Sequence, residues 1–282
     1  MRWQHSCAMP SWLPVTLVRM FTPELYDDPR YGTCARIRVA GGSNKAQDWV
    51  LLAQCASTLA DGFVYIDRFS VVELRGIKDV EELNGQLQEL ELCPTSVPVV
   101  ASPLSAAAKE VAQKVAAELG GVQAGGLNLA VIAHDDDMPV GSDVVSLKLG
   151  EDGSLHLAQS PLAEAPTAPL TPHTAARHYE EALQCADSVE QSASVLTDPG
   201  PIGWLDKHLP EGIVDLGAGV HRGAIPAEYA QLIGQLEVDI TVTPWGGLVF
   251  HNIAEGDAEV VLRVLAPRGF IFDINSPLLR AE

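Results

Sequence analysis

Arg36 and Arg38 stand two residues apart in the segment Cys34–Ala40, CARIRVA. In a strand that spacing turns both guanidinium groups to one face, and Ile37 and Val39 to the other. Arginine forks bind carboxylates in bidentate fashion. A third arginine, Arg75, closes the segment Val64–Ile77, VYIDRFSVVELRGI. Plainer uses stand beside this one. Arg36 and Arg38 also fit the solvated face of an edge strand, and Arg75 fits a salt bridge to Glu73 or Asp67. His221 and His251 fall near the same presumed cleft, where each suits a ligand or proton role as well as it suits a satisfied or surface histidine.

Other chemistry is excluded by spacing. His134-Asp135-Asp136-Asp137 has metal-binding residue types, but it precedes Met-Pro between two expected strands and reads as a solvated turn. It also lacks the pattern of a calcium loop. Gly41-Gly42 and Gly217-Ala218-Gly219 are not dinucleotide fingerprints. No Ser/His/Asp or Cys/His constellation is spaced for nucleophilic catalysis. The five cysteines, Cys7, Cys34, Cys55, Cys93 and Cys185, form no Cys-x-x-Cys pair. Their odd number and wide spacing point to a reduced, cytoplasmic protein, with Cys55 as a small core residue.

The formal net charge of −19 opposes binding to nucleic acid or to an anionic membrane. No apolar run reaches the ~20 residues of a membrane span. Residues 1–21 are interrupted by Pro10 and Pro14 and read as a disordered lead, or as sequence upstream of a start at Met20, not as a signal peptide.

The elements that carry the arginines occur twice. Val238–Ile253, VDITVTPWGGLVFHNI, overlies Val64–Ile77 without gaps at an offset of 176 positions. Ile66 then falls on Val242, Phe69 on Trp245, Val72 on Leu248, Leu74 on Phe250 and Arg75 on His251. Both segments read as hairpins. Around the first, Cys34–Ala40, Ala46–Ala60, Asp79–Leu92 and Val97–Ser102 complete β-α-β-β-α-β. Around the second, Ile213–Gly219, a helix from Pro226, Asp257–Ala266 and Phe270–Asp273 do the same. The expected fold is α+β: two ferredoxin-like halves in a pseudo-twofold repeat. The halves cover residues 22–104 and 201–282. Between them, 105–200 forms an insertion: a helix over Ala106–Leu119, three antiparallel strands (Leu127–Ala133, Asp143–Leu149, Ser154–Ala158) and a helix over Thr171–Leu196, after a proline-rich linker.

Four segments in this order resemble the nitrite/sulfite reductase superfamily, and within it the precorrin-3B synthase branch. Arg36–Gly42 resembles R-x-R-x-P-G-G, Leu74–Ile77 matches L-R-G-I, Val99–Leu104 resembles V-x-A-S-P-L, and Thr243–Leu248 resembles T-P-W-R-G-L. The resemblance spans about Thr22 to Pro277. It implies an oxidoreductase of cobalamin biosynthesis, which hydroxylates precorrin-3A at C-20 with oxygen and forms a lactone. A sirohaem-type reductase relative is a further implication. The tetrapyrrole would lie between the halves, against Arg36, Arg38, Arg75, Thr243, Trp245 and His251. Trp245 fits core packing as well as ring stacking, since Phe69 holds the symmetric place.

The departures from that family matter as much. The resemblance implies a 4Fe-4S cluster with its iron on Cys-x5-Cys and Cys-x3-Cys, after the segment matched by Gly269–Asp273 and Pro277. No cysteine follows Cys185, so the expectation is a truncated chain lacking its cluster half, inactive alone, with a separate chain supplying that half. The first hairpin has Asp67, Phe69, Val71 and Glu73 where the family has Thr, Arg, Asn and Gln. Gly246 replaces the arginine of T-P-W-R-G. A non-catalytic tetrapyrrole-binding or subunit protein is the alternative expectation.

Overall fold

The computed structural model describes residues 23–280 apart from 91, 93–94, 124, 137, 139, 163–165, 186–199 and 207–208. The chain opens with β1 (Glu24–Asp28), β2 (Gly32–Arg38), β3 (Ser43–Asn44), α1 (Ala46–Leu59), β4 (Phe63–Asp67), β5 (Val71–Arg75) and α2 (Val80–Leu87). A middle segment holds β6 (Val99–Ala101), α3 (Ala106–Glu118), β7 (Asn128–Ile132), β8 (Val144–Leu149), β9 (Leu155–Gln159) and α4 (Pro172–Cys185). It ends with β10 (Gly203–Leu205), β11 (Ile213–Val220), β12 (Ala224–Pro226), α5 (Ala227–Gly234), β13 (Ile240–Val242), β14 (Gly247–Ala254), α6 (Glu255–Leu265) and β15 (Phe270–Ile271).

Three helices, α1, α2 and α3, begin where side chains supply caps. The Asp48 carboxylate accepts the Lys45 N–H at 2.8 Å, Asp79 accepts from Glu82 at 2.9 Å, and Ser105 accepts from Ala108 at 3.2 Å. Trp49, Leu52, Ala53, Ala56 and Leu59 form the buried stripe of α1. They join one core with Val64, Ile66, Val72 and Leu74 of the first hairpin and Ile240, Val242, Leu248 and Phe250 of the second.

The two hairpins share one register. Ile66 pairs with Val72, and Val242 with Leu248; Tyr65 pairs with Glu73, and Thr241 with Val249. The 176-residue offset is therefore kept across both strand pairs. The first sheet runs β1-β2-β5-β4-β12 and the second β10-β11-β14-β13-β3, with β15 also on β11. Each sheet thus takes its last strand from the other repeat. Two glycines make that exchange possible. A Cβ on Gly42 would lie 2.2 Å from the Val242 carbonyl oxygen, and one on Gly223 would lie 2.3 Å from that of Ile66. Both have positive φ, at +70° and +61°. The hairpin tips meet as well, Phe69 N–H donating to Pro244 O at 3.1 Å.

Two expectations are corrected in the middle segment. Val99–Ala101 does not close the first half; it pairs parallel with β7 in a third sheet, β6-β7-β8-β9. That sheet is mixed, since β7 and β8 are also parallel and only β8 and β9 run antiparallel. A short β-branched run fits the edge of either sheet, and it takes the parallel one under α3. The expected helix Thr171–Leu196 is described only as far as Cys185; its remainder, like residues 1–21, lies outside the described residues. No described helix is long and apolar enough to cross a membrane.

Candidate functional site

Arg36, Arg38 and Arg75 do share a face, the side of the first sheet away from the core. A carboxylate hub organises them. Glu73, 5% exposed, accepts from Arg75 Nε at 2.5 Å and from the Tyr26 hydroxyl at 2.6 Å, and faces Arg36 Nε at 3.5 Å. Glu24 pairs with Arg38 and lies 3.8 Å from Arg36 Nη1. The guanidinium of Arg36 stacks on Tyr26 at 4.2 Å from the ring centre, and that of Arg75 on Tyr65 and Tyr31 at 3.9 and 4.7 Å. Burial, then the hydrogen bond to Asp61, pushes the Tyr65 hydroxyl up to about 12. Burial, then Glu73, raises that of Tyr26. The salt bridge of Arg75 to Glu73 is thus present. The Arg36 side chain stays 38% exposed and is the part of the array open to a ligand.

The equivalent face of the second sheet is different. By register, Arg36 corresponds to Gly217 and Arg38 to Gly219, because these pair with Val249 and Gly247, the repeat partners of Glu73 and Val71. His251, at the repeat position of Arg75, is 7% exposed. Its Nδ1 is 2.8 Å from Asp215 Oδ2, and its Nε2 is 2.8 Å from Thr241 Oγ1 and 3.3 Å from Lys109 Nζ. Lys109 reaches in from α3 and also donates to Thr241 Oγ1 at 3.2 Å. Asp215 Oδ1 accepts the Asn252 N–H at 2.8 Å. Burial alone would raise the Asp215 carboxyl; the His251 hydrogen bond, the Asn252 N–H and the Lys109 charge outweigh it and hold it below the usual range. Burial lowers Lys109, against the pull of Asp215 and Asp239. Thr241 is fully buried, so this chain of groups resembles a nucleophilic triad in order but has no nucleophile open to a substrate.

The remaining candidates sit at the hairpin tip. The Thr243 hydroxyl accepts the Gly247 N–H at 3.0 Å and closes the turn. Trp245 packs with Phe69 against Val100, Ala130 and Ile132 of the third sheet and against Met138 between β7 and β8, and Gly200 covers its ring. Gly246 has φ +76°, a conformation that disfavours the arginine the family carries there. Trp245 and Asp215 also line a cavity of about 570 Å³ between the third sheet and β10, together with Ser102, Met138 and Trp204. Arg36, Arg38 and Arg75 are not among its walls. The network of Asp215, His251, Thr241 and Lys109 escapes sequence reasoning because its members come from four elements; only the match of His251 to Arg75 pointed to it.

The described cysteines do not fit an iron–sulfur cluster. Among the described residues no group of three or more His, Cys, Asp or Glu could hold a metal ion. Cys34 and Cys55 are buried, and Cys185 is exposed. The Cys34 thiol faces Gly32 O, and that of Cys55 faces Gln86. Burial pushes the Cys55 thiol up to about 11, away from the thiolate a metal requires. Cys7 and Cys93 lie outside the described residues.

No protein-family profile matches the chain. No curated protein matches it in sequence. Among solved structures it is similar to the Mycobacterium tuberculosis NirA protein, with a TM-score of 0.61 and 15% identity over 86% of this chain and 57% of that one. The chain thus spans 57% of the length of that structure. At this identity the likeness is one of fold: a mixed α/β architecture shared with NirA.

Proposed function

We propose that this chain is a precorrin-3B synthase-like member of the nitrite/sulfite reductase superfamily, and that it serves as the tetrapyrrole-holding part of an oxidoreductase. In this reading its twin repeats are two ferredoxin-like halves around the middle segment, the first ending ahead of β6 and the second occupying 201–282. The observation that carries the reading is the convergence of Arg36, Arg38 and Arg75 on one sheet face, within an interlocked repeat of NirA-like fold. Ligand carboxylates would meet the exposed edge of Arg36 first and then compete with Glu24 for Arg38. Tyr26, Tyr31 and Tyr65 hold the guanidiniums flat against the sheet and limit their freedom. Trp245, Thr243 and His251 would act by supporting the neighbouring hairpin.

Redox chemistry is assigned in this reading to a separate chain that carries the cluster half. The described residues hold and orient; they do not supply the cluster. A second reading, a scaffold that keeps the fold and binds no tetrapyrrole, is favoured by one observation: Glu73 and Glu24 already neutralise the array. Absorbance titration with sirohydrochlorin, a metal-free precorrin analogue, separates the two. Saturable binding at tens of micromolar or tighter supports the first reading, and no spectral change at that concentration leaves only the scaffold.

A further inference from the structure

The cavity of about 570 Å³ has a different chemistry from the arginine face. Four aspartates line it, Asp135, Asp136, Asp206 and Asp215, and no Lys, Arg or His is among its described walls. Its apolar surface comes from Leu104, Met138, Leu205, Leu209 and two tryptophans. The volume suits a small organic ligand. Asp215 is a built part of this site: it is 7% exposed, both its oxygens are fixed by hydrogen bonds, and it faces the cavity from β11. Lys109 and His251 stand behind it and balance it from the protein side. Asp135 pairs loosely with His134 at 3.8 Å. Among the described residues the carboxylates of Asp136 and Asp206, both in the cavity wall, have neither a hydrogen bond nor an ion pair; the ammonium of Lys148 is held on the Asp136 backbone carbonyl.

The aromatic walls add a second requirement. Trp204 is 40% exposed and offers a free indole face for a cation or a flat ring. The Trp245 indole N–H is buried with no acceptor among the described residues. Among its described walls a polyanion such as a tetrapyrrole would meet four aspartates and no basic side chain, so this site is separate from the arginine face. We infer that the cavity binds a flat organic cation, with a ring against Trp204 and positive charge facing Asp136 and Asp206.

The test uses the full chain and 1-methylquinolinium as probe, followed by calorimetry and tryptophan fluorescence. Neutral quinoline at pH 8 and anionic 1-naphthoate serve as matched rings. The expected result is one-site binding of the cation, at least about tenfold tighter than quinoline and weakened by added salt, with no binding of 1-naphthoate. Asp136→Asn with Asp206→Asn should weaken the cation at least about tenfold, and Trp204→Ala should weaken cation and quinoline alike. Equal affinity for all three rings, absence of saturable cation binding, or a double variant that is correctly folded and binds like the parent would each overturn the proposal. The salt dependence of the parent protein reads the charge requirement without any variant.

Discussion

Gly42 and Val242 come from different repeats, yet a single methyl on the glycine would fall 2.2 Å from the valine's carbonyl oxygen. Gly223 and Ile66 repeat the relationship in mirror order. Beside them, Ser43–Asn44 pairs with β13, and Ala224–Pro226 pairs with β4. The repeats are therefore joined by exchanged strands as well as by a shared core, and the glycines are the points of closest approach.

Gly223→Ala should destabilise the protein by about 3 kcal/mol, since left-handed strain adds to a contact with backbone that cannot move aside. Gly212→Ala is the control. It also has positive φ, +80°, but nothing lies within 4 Å of its added Cβ, and it should cost about 1 kcal/mol. Urea unfolding of both variants measures the difference; equal costs would contradict a tight crossing at Gly223.

Much of this frame is legible in the sequence. The gap-free match of Val64–Ile77 to Val238–Ile253 predicts two hairpins, and their registers agree residue for residue. The exchanged strands are hidden because two or three residues carry no period. Val99–Ala101 is assigned to the wrong sheet because its apolar pattern fits either neighbour. Arg75 with Glu73 was foreseeable from alternation, which puts both on one face. The clustering of Lys109 with Asp215 was not, since only tertiary packing brings the Lys109 side chain from α3 to Thr241 and His251 beside Asp215.

Asp215→Asn should cost about 3 kcal/mol, because it removes the carboxylate that holds His251 and the Asn252 N–H and that stabilises the part-buried Lys109 ammonium. Combining it with Lys109→Met should cost less than the sum of the two single changes. Additive losses in a double-mutant cycle would show that the two groups do not interact.

The same pair sets two pH windows. Asp215 titrates lower in the folded chain than unfolded, so its contribution is complete above the ordinary carboxylate value of about 3.9. It is lost as pH falls through the folded value. Lys109 is lowered by burial, so the unfolded chain binds its proton more tightly. Stability should rise with pH between the folded value and the ordinary lysine value of about 10.4. Lys109→Met should abolish that alkaline rise in the urea midpoint, and an unchanged rise would contradict the assignment.

Glu73→Gln removes the carboxylate shared by Arg36, Arg75 and Tyr26. It should cost about 1–3 kcal/mol of stability and strengthen sirohydrochlorin binding about tenfold, because two guanidiniums become available to ligand carboxylates. Weaker binding in this variant would mean that Glu73 positions the arginines and does not compete with the ligand.

The most direct measurement is a sirohydrochlorin titration of the parent chain beside the combined Arg36→Ala, Arg38→Ala and Arg75→Ala variant, at low and at 0.5 M salt. Saturable binding to the parent, weakened by salt and reduced at least about tenfold in a variant that remains folded, is the predicted result. Equal binding by parent and variant, or none by the parent, would contradict a tetrapyrrole-holding role for this face.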